Sequence, residues 1–344
     1  MQQKNGVILH LVLKQRIQIN MTTYKDIHGT KVEVRTDDPA NPVNGQVWYN
    51  SGTLKGFKVN PAGAWSTGGP MNTARYALAG AGTQTSALGF GGTLDPPVSA
   101  LAESYNGSAW TEVGDLNEAR YGIAGAGASN TAALAFGGYT GTARSVNTET
   151  WNGSGWTEVA NLNTGRNALA GAGASNTAAL AFGGASSTGK TETWNGSGWT
   201  ELNDMNTARY SLAGAGTYTS ALVFGGFASP RTVNTETWNG TSWTEVNNLN
   251  AARDNLMGTG ANNTSALCIG GYTNDEVNLA STELWNGTSW TEVGDLAIGV
   301  RTSGAAGTST VAISFAGVNP SAGRVAVSEE WDVPKETTVS FNVS

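Results

Sequence analysis

Apolar and small residues alternate along this chain in short stretches that recur at nearly constant intervals. In one copy Leu180 and Phe182 share one face of an extended segment, and Ala179 and Ala181 share the other. A run of glycine and alanine precedes each stretch, and Trp-Asn-Gly-x-x-Trp follows in the clearest copies. An arginine marks each copy and recurs every 43 to 48 residues. Strand-like segments with this period indicate the blades of a β-propeller.

Each copy predicts four short strands. The first is the glycine and alanine run, whose small side chains suit inner strands that converge on a propeller axis. The second is the alternating stretch, whose large face can nest against the small face of the next sheet. The third and fourth form a hairpin, with a turn of two residues at Asn152-Gly153 or of four residues through Gly155. Either turn places Trp151 and Trp156 on one face, so we expect these rings to be structural.

The arrangement resembles the Kelch family of β-propellers over about residues 62–333. A Gly-Gly pair closes the second strand, and an aromatic residue and a Trp follow in the hairpin. The glycine pairs begin at Gly91, Gly137, Gly183, Gly225 and Gly270, and the aromatic pairs are Tyr105/Trp110, Trp151/Trp156, Trp194/Trp199, Trp238/Trp243 and Trp285/Trp290. With six copies, we expect an all-β, six-bladed Kelch-like propeller of four-stranded antiparallel blades.

The sixth copy departs from the pattern. Ala316-Gly317 replaces Gly-Gly, and no hairpin with a second Trp follows Trp331. An unmatched strand at Ala64-Trp65 precedes the first copy. We expect this N-terminal strand to complete the sixth blade, which closes the ring and removes exposed sheet edges.

Each copy carries one arginine before its first strand and one glutamate two residues before the hairpin aromatic. Strand parity places the glutamate on the face of the buried ring, where an unpaired carboxylate is costly. We therefore expect an Arg–Glu ion pair in every blade; a ring of arginines that binds an anion is the alternative. The arginines are Arg75, Arg120, Arg166, Arg209, Arg253 and Arg301, and the glutamates are Glu103, Glu149, Glu192, Glu236, Glu283 and Glu329.

The composition of the chain limits the kinds of binding and catalysis that we expect of it. The 344 residues carry a net charge of −7 without a basic stripe, so nucleic-acid binding is not expected. The single cysteine, Cys268, occupies a small position of a second strand, and we expect it to be a core residue. The two histidines, His10 and His28, lie outside the repeats, and no nucleophile elbow or metal-spaced cluster appears. We expect neither a metal nor a cofactor, and no enzymatic activity.

The N-terminal region does not follow the repeat. Its first apolar stretch, at residues 7–13, is too short to span a bilayer and lacks a cleavage site, so we expect neither a secretory signal nor membrane insertion. Residues 1–20 are interpreted as an upstream extension, disordered or marginal, with translation starting at Met21 in place of Met1. Residues 21–61 are expected to form an attachment segment with a β-hairpin, and residues 334–344 a C-terminal tail.

The passage from Gly45 to Lys55, followed by a Trp and the Gly/Ala-rich array, is similar to tail-fibre and other virion proteins of bacteriophages, especially marine ones. The resemblance is one of module order. It implies a virion protein, made in the host cytoplasm, whose N-terminal segment contacts other virion proteins and whose propeller recognises a host.

The copies differ most in the loops after the second strand and just after the arginine, and these are expected on one face. Aromatic rings there can stack on sugars, and arginines can bind hydroxyl or acidic groups. The candidate binding residues are Tyr139, Arg144, Phe227, Arg231, Tyr272, Asp275, Tyr76, Tyr121 and Tyr210. We expect a non-enzymatic adhesin for a host surface polysaccharide or protein. A purely structural virion or scaffold protein and, third, a glycan-degrading enzyme are the alternatives.

Overall fold

The computed structural model describes residues 33–37, 47–50, 53–58, 63–185, 188–333 and 337–341. The chain forms two compact units, one comprising Ala62–Val333 and the other Met1–Pro61 together with Pro334–Ser344. The expectations for residues 1–20 and for a start at Met21 lie outside the described residues.

The smaller unit contains a four-stranded sheet. Its strands are β1 (Glu33–Arg35), β2 (Val47–Asn50), β3 (Thr53–Lys58) and, from the C-terminal end of the chain, β30 (Thr337–Phe341). Strands β2 and β3 form an antiparallel hairpin, β1 runs parallel to β2, and β30 pairs antiparallel with β3. The segment expected as a C-terminal tail therefore contributes a strand to the sheet of the N-terminal segment.

The larger unit is a six-bladed β-propeller of four-stranded antiparallel blades. Blades 1 to 5 follow one another in sequence, each from its inner to its outer strand. Blade 1 is β5 (Ala79–Thr83), β6 (Ser86–Phe90), β7 (Ala102–Tyr105) and β8 (Trp110–Val113); blade 2 is β9 (Ala124–Ser129), β10 (Ala132–Phe136), β11 (Thr148–Trp151) and β12 (Trp156–Val159); blade 3 is β13 (Ala170–Ser175), β14 (Ala178–Phe182), β15 (Thr191–Trp194) and β16 (Trp199–Leu202); blade 4 is β17 (Ala213–Thr217), β18 (Ser220–Phe224), β19 (Thr235–Trp238) and β20 (Trp243–Val246); blade 5 is β21 (Met257–Asn262), β22 (Ser265–Ile269), β23 (Thr282–Trp285) and β24 (Trp290–Glu292).

The sixth blade is assembled from both ends of the propeller. Its strands are β25 (Gly304–Gly307), β26 (Val311–Phe315), β29 (Ser328–Asp332) and, outermost, β4 (Ala64–Gly68), and a small hairpin of β27 (Val318–Asn319) and β28 (Gly323–Arg324) lies in its loop. Strand β4 pairs antiparallel with β29, with Trp65 opposite Trp331. The outer edge of β29 is thus covered by a strand from the other end of the unit.

Neighbouring blades nest in the way that the alternating pattern predicts. Leu88 and Phe90 of blade 1 lie in one core cluster with Ala133 and Ala135 of blade 2. The ring of Phe90 meets that of Trp156 edge-on, with centroids 5.0 Å apart. Large side chains of one sheet therefore fill the space left by small side chains of the next. Five of the six interfaces bury a Phe–Trp pair, and Ile269 occupies the Phe position between blades 5 and 6.

The hairpin turns have the longer of the two lengths that the sequence allows. Trp151 pairs directly with Trp156, so four residues form the turn. The side-chain oxygen of Asn152 accepts hydrogen bonds from the backbone N–H groups of Ser154 and Gly155, both at 3.0 Å. Gly153 has a φ of +92°, which explains the requirement for glycine after the asparagine.

Six inter-blade hydrogen bonds close a ring around the propeller axis. A residue in the left-handed region precedes each inner strand, and its N–H donates to the carbonyl of its counterpart in the preceding blade at 2.7–2.8 Å. The six residues are Ala77, Gly122, Ala168, Ser211, Asn255 and Thr302, with φ between 50° and 57°. Five of them are not glycine, so the closed ring maintains a conformation that these side chains ordinarily avoid.

Two faces result from this architecture. On the face that we call the loop face, the connections between blades meet the loops that follow each second strand, through isolated β-bridges. The opposite face, called the turn face, carries the Asn-Gly turns and the turns between first and second strands. Sequence variation among the copies is thus concentrated on the loop face.

Candidate binding face

Five blades contain the predicted Arg–Glu ion pair, buried in the wall of the propeller. In blade 3, Nη2 of Arg166 lies 2.8 Å from Oε1 of Glu192, and Nη1 donates to the carbonyls of Gly183 and Lys190. Burial lowers the pKa of the Arg166 guanidinium, and Glu192 opposes this shift. The equivalent pairs are Arg75–Glu103, Arg120–Glu149, Arg209–Glu236 and Arg253–Glu283. These arginines are structural and do not form an anion site.

An asparagine that we did not predict completes each of these pairs. The backbone N–H and the side-chain amide of Asn163 both donate to Oε2 of Glu192, at 2.8 Å. Asn72, Asn117, Asn206 and Asn250 repeat these contacts in the other four blades. Each asparagine precedes the arginine by three residues and follows a Leu or Met, and this recurring spacing is the signal that could have revealed it.

The prediction for the sixth blade was wrong, because Arg301 is not the equivalent of the other arginines. The second glycine of a Gly-Gly pair donates its N–H to the backbone carbonyl of the arginine at the start of the next blade, as Gly226 does to Arg253. Gly271 donates to Val300 at 2.9 Å, so Val300 occupies the position of these arginines, which we call the wall position. Val300 is buried in the core cluster of this blade. Among the described residues Arg301 makes no ion pair with Glu329 or any other acid. The sixth arginine is therefore displaced by one position, out of the wall.

Glu329 remains in the wall, where no guanidinium of the described residues pairs with it. Ala297 stands where the other blades have asparagine, and its backbone N–H donates to Oε2 of Glu329 at 2.8 Å. Burial raises the pKa of Glu329, and hydrogen bonds from the backbone of Ala297 and Ile298 oppose this shift. The sixth blade has thus lost two side chains of the triad and kept its carboxylate.

Most candidate binding residues form a rim on the loop face. In each blade the residue that follows the wall position forms a backbone pair with the residue that follows the Gly-Gly pair. In blade 6, Ala316-Gly317 takes the place of Gly-Gly. The pairs are Tyr76/Thr93, Tyr121/Tyr139, Asn167/Ala185, Tyr210/Phe227, Asp254/Tyr272 and Arg301/Val318. Arg144 and Arg231 pair in turn with Tyr139 and Phe227, and Asp275 is exposed on the loop after Tyr272. The rim residues were largely predicted; the place of Arg301 among them was not.

Six of these side chains form a continuous cluster across blades 4 to 6, which we call the aromatic–arginine arc: Tyr210, Phe227, Arg231, Asp254, Tyr272 and Arg301. The rings of Tyr210 and Phe227 lie 5.3 Å apart. The Arg231 guanidinium carbon lies 5.8 Å from the centroid of Phe227 and 4.6 Å from that of Tyr272, within the range of cation–π contact.

Charge within the arc is unevenly compensated. Nε of Arg231 donates to Oδ1 of the buried Asp254 at 2.9 Å, which offsets the charge of that arginine. The guanidinium carbon of Arg301 lies 4.1 Å from the centroid of Tyr272. Tyr272 therefore has two guanidinium groups against its ring, of which one is paired with a carboxylate within the described residues.

A smaller cluster lies on blades 2 and 3. The rings of Tyr121 and Tyr139 meet edge-on at 5.5 Å, and Nε of Arg144 donates to the side-chain oxygen of Asn167 at 3.3 Å. Tyr76 lies between this cluster and the arc; burial raises the pKa of its hydroxyl, and Arg324 and Arg301 act in the opposite direction. On the other side, the two clusters are separated by blade 3, where Asn167 and Ala185 place no aromatic ring on the rim.

The central channel offers less chemistry than the rim. A cavity of about 120 Å³ is lined by three residues from each blade, Leu78, Ala79 and Gly80 and their equivalents. At Gly171 an added Cβ would lie 2.8 Å from the carbonyl oxygen of Gly125 in the preceding blade, so the inner strands approach too closely for side chains there. Apart from Ser303, the lining presents backbone and aliphatic groups.

The part of the chain that the structure describes contains no group of three or more His, Cys, Asp or Glu side chains that could hold a metal ion. Burial raises the pKa of Cys268 to about 12, and this thiol is a core residue as the sequence predicts. Within the described ranges no helix is long and apolar enough to cross a membrane.

No protein-family model matches this chain, and no curated protein does. What the loop face can bind is therefore inferred from the chemistry of its own residues.

Proposed function

We propose that this protein is a non-enzymatic adhesin of a bacteriophage particle, in which a Kelch-type propeller binds a polysaccharide or protein on the host surface. The observation that carries the proposal is the aromatic–arginine arc. It gathers three aromatic rings and two guanidinium groups from three blades into one contiguous surface of the loop face.

The arc has properties of a binding surface more than of a spacer. Its aromatic side chains are half-buried, so their rings are held in position while part of each stays accessible. The backbone beneath them is fixed by the β-bridges of the rim. Preorganised aromatic and arginine side chains lose little conformational entropy on binding, which favours recognition of sugars and proteins.

The acidic side chains of the propeller wall support a non-catalytic role. Five of the six wall glutamates are paired with arginine, and Asp254 of the arc is paired with Arg231. A glycan-degrading enzyme needs a carboxyl group that can donate a proton and a second carboxylate near it. These carboxylates are each bound to a guanidinium group, in the propeller wall or in the arc.

The order of modules supports the virion assignment. A small unit that contains the N-terminal segment precedes the propeller, as in the phage tail fibres that the sequence resembles. We propose that this unit contacts other virion proteins and that the propeller carries the recognition surface. Several copies per particle would then compensate for weak individual sites.

The test uses the full chain, labelled and incubated with cells and isolated surface polysaccharides of candidate bacterial hosts. A variant with Tyr139, Phe227 and Tyr272 replaced by alanine is expected to lose binding and to retain a cooperative unfolding transition. Tyr218→Ala is the matched control, because Tyr218 is a 45% exposed tyrosine on the turn face. It is expected to bind as the unchanged protein does.

Three results would contradict the proposal. Binding that survives the triple substitution would place recognition elsewhere. Incorporation into particles with no binding to any host surface would favour a structural spacer. Release of reducing ends from a bound polysaccharide would establish a glycan-degrading enzyme.

A further inference from the structure

The sixth blade has an arginine on its rim in place of one in its wall. In the other five blades the rim position is tyrosine, asparagine or aspartate, and the wall position is arginine. Blade 6 has Val300 in the wall and Arg301 on the rim, beside Tyr272. Glu329 is left buried without its cation, so the exchange carries a cost in stability. A local cost with no local structural gain is typical of a functional position.

We propose that Arg301, packed on Tyr272, binds the carboxylate of an acidic sugar residue, such as a uronic acid, and that Arg231 on the same ring adds positive charge to this subsite. This inference rests on the proposed function, because it names the chemical class of glycan that the arc binds.

The available hydrogen-bond donors support an anionic ligand. Among the described residues, the guanidinium of Arg301 has no protein acceptor, and Arg231 commits only Nε, to Asp254. Within the described part of the chain, the remaining N–H groups of the two arginines therefore have no protein acceptor. A planar carboxylate matches the forked donors of a guanidinium and can accept two hydrogen bonds from it.

Tyr272 has a different role from the one that the sequence suggests. With guanidinium carbons 4.1 and 4.6 Å from its centroid, the ring supports two cations and is not free to stack on a sugar over its whole surface. Phe227 and Tyr210, next along the arc, supply the apolar surface for the sugar ring. The groups for the carboxylate and the groups for the sugar ring thus lie next to each other, which fits a uronic acid within an oligosaccharide.

The net charge of the chain makes this subsite specific. At −7, the protein as a whole repels polyanions, so binding of an acidic glycan must come from a local and directional contact. Asp275 and Glu276, exposed on the loop after Tyr272, add to the repulsion of anions that are not held by the arginines.

The experiment measures binding of the full chain to short oligomers of glucuronate, galacturonate and mannuronate by calorimetry, each compared with its methyl ester. The ester keeps the sugar ring and removes the charge. We expect at least one acid to bind at least about 10-fold more tightly than its ester, with affinity falling as salt is added. Arg301→Ala should weaken this binding by about 10- to 100-fold, as expected for a lost charge-assisted contact.

Lys190→Ala is the control, because it removes one positive charge from the loop after the second strand of blade 3, outside the arc and outside the candidate binding residues, where it pairs with Glu201 at 3.1 Å. It should change affinity by no more than about twofold. The affinity of Arg301→Lys should lie between that of Arg301→Ala and that of the control variant, since lysine keeps the positive charge and loses the forked donors of the guanidinium. Unfolding curves of all three variants verify that they are folded.

Several outcomes would overturn the inference. These are equal affinity for acid and ester, equal losses for Arg301→Ala and Lys190→Ala, and binding of sulfated oligosaccharides without any uronate. If neutral glycans bind and the Tyr139, Phe227 and Tyr272 substitutions abolish that binding, the proposed function stands and the acidic subsite fails. If no glycan and no host surface protein binds, both fail.

Discussion

At the scale of single residues, Glu329 is the clearest departure from the repeat. Its five equivalents each face a guanidinium, whereas Glu329 is 7% exposed and receives only backbone N–H donors among the described residues. Its pKa is raised by burial, so the folded protein holds a proton on this carboxyl more tightly than the unfolded chain does. Stability is therefore lost as pH rises from the ordinary carboxyl pKa through the raised one.

Replacing Glu329 by glutamine is expected to raise the free energy of unfolding at pH 8 by on the order of 1 kcal/mol, because the neutral amide avoids the desolvation of a charge. The gain should disappear towards about pH 3, below the ordinary carboxyl pKa, where the carboxyl is protonated in both states. Chemical denaturation at the two pH values measures it. Glu192→Gln is the control: it strands the buried Arg166 and should cost about 3–5 kcal/mol at pH 8. A loss of stability in both variants would contradict this account.

At the scale of elements, the contacts between strands of adjacent blades show one missing hydrogen bond. The indole N–H of the outer tryptophan of each of five blades donates to a hydroxyl at the start of the third strand of the preceding blade; these pairs are Trp199/Thr148, Trp243/Thr191, Trp290/Thr235, Trp65/Thr282 and Trp110/Ser328. Blade 1 has Ala102 at this position, and the buried Nε1 of Trp156 has no hydrogen-bond partner among the residues that the structure describes.

Ala102→Thr is expected to supply the missing acceptor and raise the free energy of unfolding by about 1 kcal/mol. The site should accept the larger side chain, because the equivalent Thr148, Thr191 and Thr235 are fully buried in the same environment. Ala102→Val is the matched control, with the same shape and no hydroxyl; it should give no gain. Equal effects of the two substitutions in thermal or chemical unfolding would show that packing, and not the hydrogen bond, matters here.

The strands were predictable because their pattern is local. Alternation at Leu180 and Phe182 identifies a strand, and repetition fixes the number of blades. The register of the sixth copy was not predictable in the same way, because Val300 and Arg301 are adjacent and the recurring arginine suggests Arg301 as the equivalent residue. The spacing from Leu296 supports the correct register, but the hydrogen bond from Gly271 to Val300 decides it. Contacts such as Arg301 on Tyr272 depend on how loops of different blades meet, which no single repeat contains.

At the scale of the whole molecule, the ring is closed in two ways. The hydrogen bonds among the six left-handed residues link all blades around the axis. Strand β4 then completes blade 6 from the N-terminal side, and its Trp65 packs on Trp331 at 5.5 Å and donates to Thr282 of blade 5 at 2.9 Å. The outer strand of the last blade thus connects two blades, so its loss should affect the whole ring.

Trp65→Ala is expected to lower the free energy of unfolding of the propeller by about 3 kcal/mol, because it removes a large ring and the hydrogen bond to Thr282. Thr67→Ala, on an exposed position of the same strand, should change it by less than about 0.5 kcal/mol. In a closed ring every blade has two neighbours, so the weakened protein should still unfold in one transition, shifted as a whole. Denaturation followed by tryptophan fluorescence and by far-UV circular dichroism measures both points. Two separate transitions, with blade 6 opening before the others, would show that β4 stabilises its own blade alone.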